Sequence, residues 1–226
     1  MTRESGSGHS GTYAPDGSPV ELYARLAAGD EPRIVHEAVP EGTPLLELGC
    51  GAGRITHALL ALGHPVVAVD NSPEMLEHVR GAEKVLADIQ TLDLGRTFAG
   101  VVLASNLVNC VAAATRAAML ACCARHVAPD GSVIVQRLAP DRALIIEEGG
   151  WTRGQARFHL TSLVKRGRIF AATMMVELDG KRWLHSFEAE VLGDDAMDAA
   201  LEAAGLKRVA FLDPTRAWVK AVRAQA

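Results

Sequence analysis

The sequence predicts an α/β fold: a doubly wound, seven-stranded sheet with a reversed last strand, plus an antiparallel β lid inserted after strand five. Five short apolar runs between residues 44 and 138 alternate with helical segments, which is typical of a parallel sheet covered by helices on both faces. The last two strand-like runs are separated by a short turn at Asp213 and Pro214, so they must be antiparallel. Three runs of period two precede the last helix and predict a meander outside the parallel sheet.

Two helices are predicted before the first strand. Ser18, Pro19 and Glu21 fit a capping box with Ser18 as N-cap, which predicts a helix over residues 19–29. A second helix is predicted over residues 30–40 because a proline lies in its first turn and another ends it. These helices are placed to cover a ligand of the sheet.

The stretch that organises the sheet is residues 44–57, where a buried strand ends in a glycine turn and a helix follows. The turn contains three glycines: Gly49, Gly51 and Gly53. Glycine lets the backbone approach a ligand closely, and the free N–H groups of a helix start favour anionic oxygen. Glu47 precedes the turn, and Asp70 ends the next strand, where a carboxylate suits the two hydroxyls of a ribose. The turn therefore predicts a nucleotide-type ligand.

The remaining elements follow from apolar runs, caps and breakers. Ser72 and Pro73 cap the helix after strand two, and Gly205 ends the last helix. In order, we predict strand two over 65–69, a helix over 73–80, strand three over 84–87, strand four over 100–104, a helix over 113–127, strand five over 132–138, a helix over 194–204, and final strands over 208–212 and 216–222.

The lid is predicted over residues 139–193. Its three period-two runs cover 155–165, 168–178 and 181–192, with hairpin turns at 166–167 and 179–180. In the third run one face carries mostly apolar side chains, namely Trp183, His185, Phe187, Ala189 and Val191, whereas the other carries charged and polar ones. The apolar face is therefore expected to be buried.

Length and composition favour one domain with a small-molecule partner. The 226 residues carry 23 Lys+Arg and 27 Asp+Glu, which gives no broad basic surface. A nucleic-acid partner is therefore disfavoured, with a local basic patch as the open alternative. No signal peptide, long apolar span or zinc-type cysteine spacing is present, so we expect a reduced, cytoplasmic protein without a metal or a membrane partner. The expected organisation is a flexible arm over 1–17 and a single domain over 18–226, with cap helices over 18–40.

The glycine spacing argues against a dinucleotide site. A dinucleotide fingerprint reads G-x-G-x-x-G, and Arg54 occupies the position of its third glycine. A Tyr-x-x-x-Lys pair is also absent from the sequence. An NAD-dependent dehydrogenase is therefore a poor alternative.

The motif E-L-G-C-G-A-G at 47–53, followed by V-A-V-D-N-S at 67–72, resembles the S-adenosylmethionine (SAM) site of class I methyltransferases, which have a Rossmann-like fold. The resemblance covers nearly the whole chain from Pro44, and the lid resembles that of the glycine and amino-sugar N-methyltransferases. It implies methyl transfer from SAM to a nitrogen or oxygen atom of a small, secondary-metabolite acceptor, with S-adenosylhomocysteine as product. A SAM-binding regulatory protein is the main alternative. A homodimer through the lid strands is kept as an alternative to a monomer.

The resemblance also implies roles for matching residues. Asp70 takes the ribose hydroxyls, Asp88 accepts from the adenine amino group, and N-terminal tyrosines reach the methionine carboxylate. The implied cofactor-binding residues are Tyr13, Tyr23, Glu47, Gly49, Cys50, Gly51, Gly53, Arg54, Asp70, Asn71, Met75, Asp88, Ile89, Ala104, Ser105 and Asn106.

Three residues are candidates on the acceptor side. His159 and His185 lie on predicted lid strands, and Asn109 follows strand four, where it is placed to hold a substrate. A general base is needed only if the acceptor must lose its proton before attack, whereas a neutral amine attacks unaided. Each histidine has the alternative of being a packed core residue, and the asparagine that of a turn residue.

Overall fold

The computed structural model describes residues 12–224. Its helices are α1 (Val20–Arg25), α2 (Glu31–Ala38), α3 (Arg54–Ala61), α4 (Pro73–Leu76), α5 (Ala113–His126), α6 (Pro140–Leu144) and α7 (Asp194–Ala203). Its strands are β1 (Leu45–Leu48), β2 (Val66–Asp70), β3 (Glu83–Leu86), β4 (Phe98–Leu103), β5 (Val127–Gln136), β6 (Gly149–Arg153), β7 (Ala156–Arg166), β8 (Ile169–Leu178), β9 (Lys181–Glu190), β10 (Leu206–Phe211) and β11 (Trp218–Arg223).

The main sheet has seven strands in the order β10-β11-β5-β4-β1-β2-β3. Strands β1 to β5 pair in parallel, whereas β11 is antiparallel to both of its neighbours. The prediction of a seven-stranded sheet with a reversed last strand is therefore confirmed.

The sheet is held by an apolar core on each of its faces. Leu46 and Leu48 of β1 face α5 and α7, whereas Leu45 faces α2 and α3, as the alternation of a strand requires. All three leucines are buried to within 1% of their surface, and each contributes about 1.5–3 kcal/mol by leaving water. Leu45 packs directly against Gly100 of β4. A Cβ at position 100 would lie 2.4 Å from the side chain of Leu45, so glycine is needed for this contact.

The lid is a separate antiparallel sheet in the order β6-β7-β8-β9. Its hairpin turn at Asp179 and Gly180 is confirmed, and both residues have the positive φ that a two-residue turn requires. The strand β6 was not predicted, because it has five residues and begins with two glycines, so no alternation of apolar and polar side chains is visible. The predicted burial of one face is correct: Trp183 packs against Leu22 of α1, and Ala189 packs near α6.

The predicted capping box at the first helix is wrong. The N-cap of α1 is Pro19, which makes no side-chain cap, and the helix ends at Arg25 rather than at residue 29. The side-chain oxygens of Asp16 instead accept the backbone N–H and the hydroxyl of Ser18, both at 2.9 Å. The cap at Ser72 is confirmed, because its hydroxyl oxygen accepts the backbone N–H of Met75 at 3.2 Å.

The N-terminal turn, residues 12–18, lies against the glycine turn. Tyr13 forms an antiparallel bridge with Pro19, and Ala14 packs in a small cluster with Ala52 and Met75. Residues 1–11 of the predicted arm lie outside the described residues. Within the described chain, no helix is long and apolar enough to cross a membrane.

Candidate active site

A cavity of about 370 Å³ lies at the carboxyl ends of β1, β2 and β4, between the N-terminal turn and the lid. This is the edge of a parallel sheet where ligands bind. Of the predicted site residues it is bordered by Tyr23, Glu47, Gly49, Cys50, Gly51, Arg54, Asp70, Asn71, Met75, Asp88, Ile89, Ser105 and His185.

The glycine turn forms the floor of this cavity. All three glycines have positive φ, which a side chain would strain. A Cβ on Gly49 would also lie 2.4 Å from Leu107, and one on Gly53 would lie 2.9 Å from His57. Around Gly51 the nearest atom to such a Cβ is the sulfur of Met75 at 3.9 Å, so this position is open on the cavity side. Gly53 itself does not border the cavity, because it lies behind the turn.

Asp70 is fixed at the end of β2 by backbone donors. One carboxylate oxygen accepts the N–H of Gly51 at 2.8 Å, and the other accepts the N–H of Ser72 at 2.9 Å. Burial raises the pKa of the Asp70 carboxyl in spite of these bonds. Each oxygen keeps a lone pair for a ligand hydroxyl, so the carboxylate is oriented before any ligand arrives.

Glu47 is the most deeply buried carboxyl group of the cavity wall, with 2% of its surface exposed. The hydroxyl of Thr56 donates to it at 2.6 Å, yet burial raises the pKa of the Glu47 carboxyl to about 7. A cation bound next to Glu47 would therefore lower the pKa of its carboxyl and favour the ionised form.

Arg54, the first residue of α3, brings positive charge to the cavity. Its guanidinium donates to Glu31 of α2 at 2.7 Å, and both side chains are nearly buried. Tyr23 of α1 borders the same region, and burial raises the pKa of its phenol, so the hydroxyl is neutral and able to donate. Cys50 also borders the cavity, with burial raising the pKa of its thiol.

The part of the cavity next to Gly49 is more apolar. Ile89 and Leu107 are neighbours there, because both approach Gly49. Asp88 is exposed, and one of its oxygens accepts the N–H of Gln90 at 2.8 Å. This combination of apolar walls and a nearby carboxylate suits a planar base with an amino group.

The end of β4 carries backbone strain. Ser105 and Asn106 are consecutive non-glycine residues with φ of 56° and 59°. The N–H of Ser105 donates to the side chain of Gln136 at 2.7 Å, which holds the strained turn in place. Strain of this kind is characteristic of functional sites. Ser105 borders the cavity, whereas the buried Ala104 and the neighbouring Asn106 do not.

Of the three acceptor-side candidates, His185 borders the cavity. It lies on the inner face of β9, and its ring is 6.5 Å from that of Tyr23 in an edge-on arrangement. His159 is exposed on the outer face of the lid, across from Gly150, because it has the opposite parity along its strand. The predicted contact of His159 with a substrate is therefore contradicted.

Asn109 has a different role from the one predicted. Its side-chain N–H donates to the backbone oxygen of Glu190 at 2.7 Å, and its side-chain oxygen accepts the N–H of Leu138 at 2.8 Å. Leu138 lies where the chain enters the lid, and Glu190 lies where the chain leaves it. Both ends of the buried amide are thus used to clamp the base of the lid, so it does not face a substrate.

Some lining residues were missed by sequence reasoning. They are Ala14, Asp16, Ser18, Ala52, Ile55, Gln90, Leu107, Cys110, Thr115 and Met119. Ala52, Ile55 and Gln90 lie in or beside the predicted cofactor motifs, whereas the others reach the cavity through packing of segments that no such motif marks. Tyr13 was predicted to bind the cofactor, but its residue surface is 39% exposed and it does not border the cavity. Within residues 12–224, no cluster of three or more metal-ligating side chains is found.

Comparison with known proteins agrees with this geometry. Residues 46–135 match the methyltransferase domain family. Over 96 residues the chain is 35% identical to an uncharacterised methyltransferase of Mycobacterium tuberculosis, a match that spans 42% of this chain and 37% of that protein. It is 29% identical over 154 residues to a cypemycin N-terminal methyltransferase of a Streptomyces species, spanning 65% of this chain and 60% of that protein. The chain thus covers less than two thirds of either relative.

Solved structures extend the likeness to the whole fold. The CcbJ methyltransferase from Streptomyces caelestis superposes with a TM-score of 0.74 at 20% identity, covering 91% of this chain and 96% of that one. A SAM-bound amino pentose methyltransferase from Micromonospora echinaspora gives 0.66 at 22% identity, covering 96% and 100%. Residues 46–135 therefore match the methyltransferase domain family, and the chain has the class I methyltransferase fold.

Proposed function

We propose that this chain is a SAM-dependent methyltransferase that methylates an amine nitrogen of a small, natural-product-like acceptor. The observation that carries the proposal is the arrangement of Glu47, Gly51 and Asp70 around one cavity that the lid covers. The named relatives support an amine: one is an N-terminal methyltransferase and one acts on an amino pentose.

The residues fit the cofactor in shape and in charge. The open side of Gly51 leaves room for a ligand, and the fixed carboxylate of Asp70 suits two ribose hydroxyls. Glu47 suits the ammonium group of the methionine half, and Arg54 suits its carboxylate. Ile89 and Leu107 suit the adenine ring. When bound, SAM supplies an electrophilic methyl group on a positively charged sulfur.

The protein's own contribution is alignment and exclusion of water. Methyl transfer is an in-line displacement, so the acceptor atom must lie opposite the departing sulfur. Fixing two reactants in this way supplies about 7–11 kcal/mol of the barrier. The lid, held at its base by Asn109, contributes His185 to the cavity lining, and we expect it to exclude water when an acceptor is bound.

His185 gives a second candidate reaction. It is the one histidine among the described lining residues, and its ring faces the cavity beside Tyr23. A phenol or alcohol acceptor needs a base, and a histidine placed here is able to remove the proton. O-methylation with His185 as general base is therefore the alternative to N-methylation.

One experiment separates these possibilities. Purified protein is incubated with methyl-labelled SAM and a panel of amino sugars, peptides with free N-termini, and phenols. We expect labelled product from an amine, and we expect His185→Gln to retain that turnover within a few fold. Loss of turnover by about 10²–10⁴-fold in this variant, with a phenol as acceptor, would instead establish the O-methyl alternative.

The same assay tests the proposal as a whole. Tight binding of SAM without turnover of any acceptor would indicate a SAM-binding regulatory protein. Failure of wild-type protein to bind SAM in calorimetry would reject the proposed function altogether.

A further inference from the structure

Two arginines share one carboxylate beside the cavity. Glu31 of α2 is 7% exposed, and its Oε1 lies 2.7 Å from the guanidinium of Arg54 and 3.7 Å from that of Arg153. Its Oε2 accepts the backbone N–H of Gly29 at 2.5 Å. We call Arg54, Glu31 and Arg153 the charge triplet. The triplet carries a net charge of +1, because one carboxylate faces two guanidiniums.

The charge triplet joins three parts of the molecule. Glu31 opens the second cap helix, and Arg54 opens α3 directly after the glycine turn and borders the cavity. Arg153 is the last residue of β6, the edge strand of the lid. Its guanidinium also lies 5.3 Å from the centre of the Phe158 ring, so it is held close to the lid surface.

Two members of the charge triplet, Arg54 and Glu31, are nearly buried, whereas the Arg153 side chain is 43% exposed. Burial, and then repulsion by Arg54, lowers the pKa of the Arg153 guanidinium, which stays charged beside Arg54. Conversely, the two arginines hold the pKa of the Glu31 carboxyl below its usual value although burial acts in the opposite direction. Tyr23 also lies near both arginines, and its neutral phenol brings no balancing charge. Glu47 is near Arg54 as well, but burial raises the pKa of its carboxyl to about 7. The site therefore has room, in electrostatic terms, for one more anion.

We infer that the missing anion is the amino-acid carboxylate of the bound cofactor, and that it fastens the lid. A carboxylate that pairs with Arg54 from the cavity side leaves Glu31 free to pair fully with Arg153. This exchange ties β6 to α2 and holds the lid down while the cofactor is present. The inference rests on the proposed function, and it assigns Arg153 as a positioning residue that senses a ligand it does not touch.

The test compares nucleosides with and without the carboxylate. S-adenosylhomocysteine carries it, whereas 5′-methylthioadenosine keeps the adenosine and sulfur but lacks it. By calorimetry we expect Arg153→Gln to weaken S-adenosylhomocysteine about tenfold, which is within the usual range of coupling between sites, and to leave 5′-methylthioadenosine unchanged. Arg153→Lys keeps the charge and is expected to recover most of the affinity. Arg157→Gln, at an exposed position two residues into β7, is the matched control and should bind both ligands normally.

Hydrogen exchange reports the lid directly. S-adenosylhomocysteine, but not 5′-methylthioadenosine, should slow amide exchange over residues 149–153 of wild-type protein, and neither should do so in Arg153→Gln. Equal weakening of both ligands by Arg153→Gln, or no weakening of either, would overturn the inference while leaving the proposed function intact. Failure of wild-type protein to bind either nucleoside would overturn both.

Discussion

Glu47 should make cofactor binding depend on pH in a way that can be calculated. Its carboxyl is 2% exposed, accepts one hydrogen bond from Thr56, and has its pKa raised by burial to about 7 in the ligand-free protein. Below pH 7 the neutral form therefore predominates. An ammonium group beside Glu47 favours the ionised form, so binding a ligand that carries one releases a proton below pH 7. Affinity should consequently rise as the pH is raised through 7.

The size of the effect follows from the fraction of Glu47 that is already ionised. With a pKa of about 7, this fraction is about one tenth at pH 6 and about nine tenths at pH 8. If the bound ligand keeps Glu47 ionised at both values, its dissociation constant is about tenfold lower at pH 8, or about 1.4 kcal/mol. The same reasoning gives a release of about 0.9 proton from Glu47 for each ligand bound at pH 6.

Titration calorimetry in buffers of different ionisation enthalpy measures both quantities. The control is Glu47→Gln, which keeps an oxygen for the Thr56 hydroxyl but cannot ionise. Ionisation of the ligand's own amine affects both proteins equally, so the difference between them isolates Glu47. Identical proton release and identical pH dependence in the two proteins would refute the assignment of Glu47 to the ammonium group.

Three further predictions concern the cofactor, the lid clamp and the N-terminal turn. Asp70→Ala should weaken SAM by about 2–4 kcal/mol in calorimetry, because charge-assisted hydrogen bonds to hydroxyls are the stronger class; an unchanged affinity would remove Asp70 from the site. Asn109→Ala should lower the free energy of unfolding in urea by about 2–4 kcal/mol, because it strands the N–H of Leu138 and the oxygen of Glu190; a loss below 0.5 kcal/mol would contradict the clamp. SAM should slow amide exchange over residues 13–26, and deletion of residues 1–16 should reduce turnover more than stability, since Asp16 borders the cavity; full activity of the truncated protein would leave the lid as its only cover.

Local patterns predicted most of the fold. The glycine turn, the acidic strand end at Asp70 and the cap at Ser72 each depend on a few neighbouring residues, and the structure places each where the pattern indicated. The antiparallel final pair followed from a turn too short for a crossover. These features were readable because their physical causes act over a few residues along the chain.

Local patterns failed where a distant or competing partner decided the outcome. Ser18 fits the sequence pattern of an N-cap, but its backbone N–H and hydroxyl donate to Asp16, and α1 begins at Val20 with Pro19 as its N-cap. Asn109 looked like a residue for holding substrate, yet two backbone groups at the base of the lid occupy its amide. In both cases the side chain is hydrogen-bonded to a partner that lies outside the pattern used for the prediction.

The class of the fold, the reversed last strand and the glycine turn could be predicted from the sequence, because periodicity, turn length and glycine position are local properties. The side chains that meet beneath the lid could not be predicted in this way, because they come from segments that are far apart in the chain. His185 and Tyr23 come together there, as do Arg153 and Glu31, although each pair joins a lid strand to a cap helix far away in the chain. The parity of a strand settles which face its residues share, but not which element covers that face. That depends on how the apolar face of the lid packs against α1, a contact that no local pattern encodes.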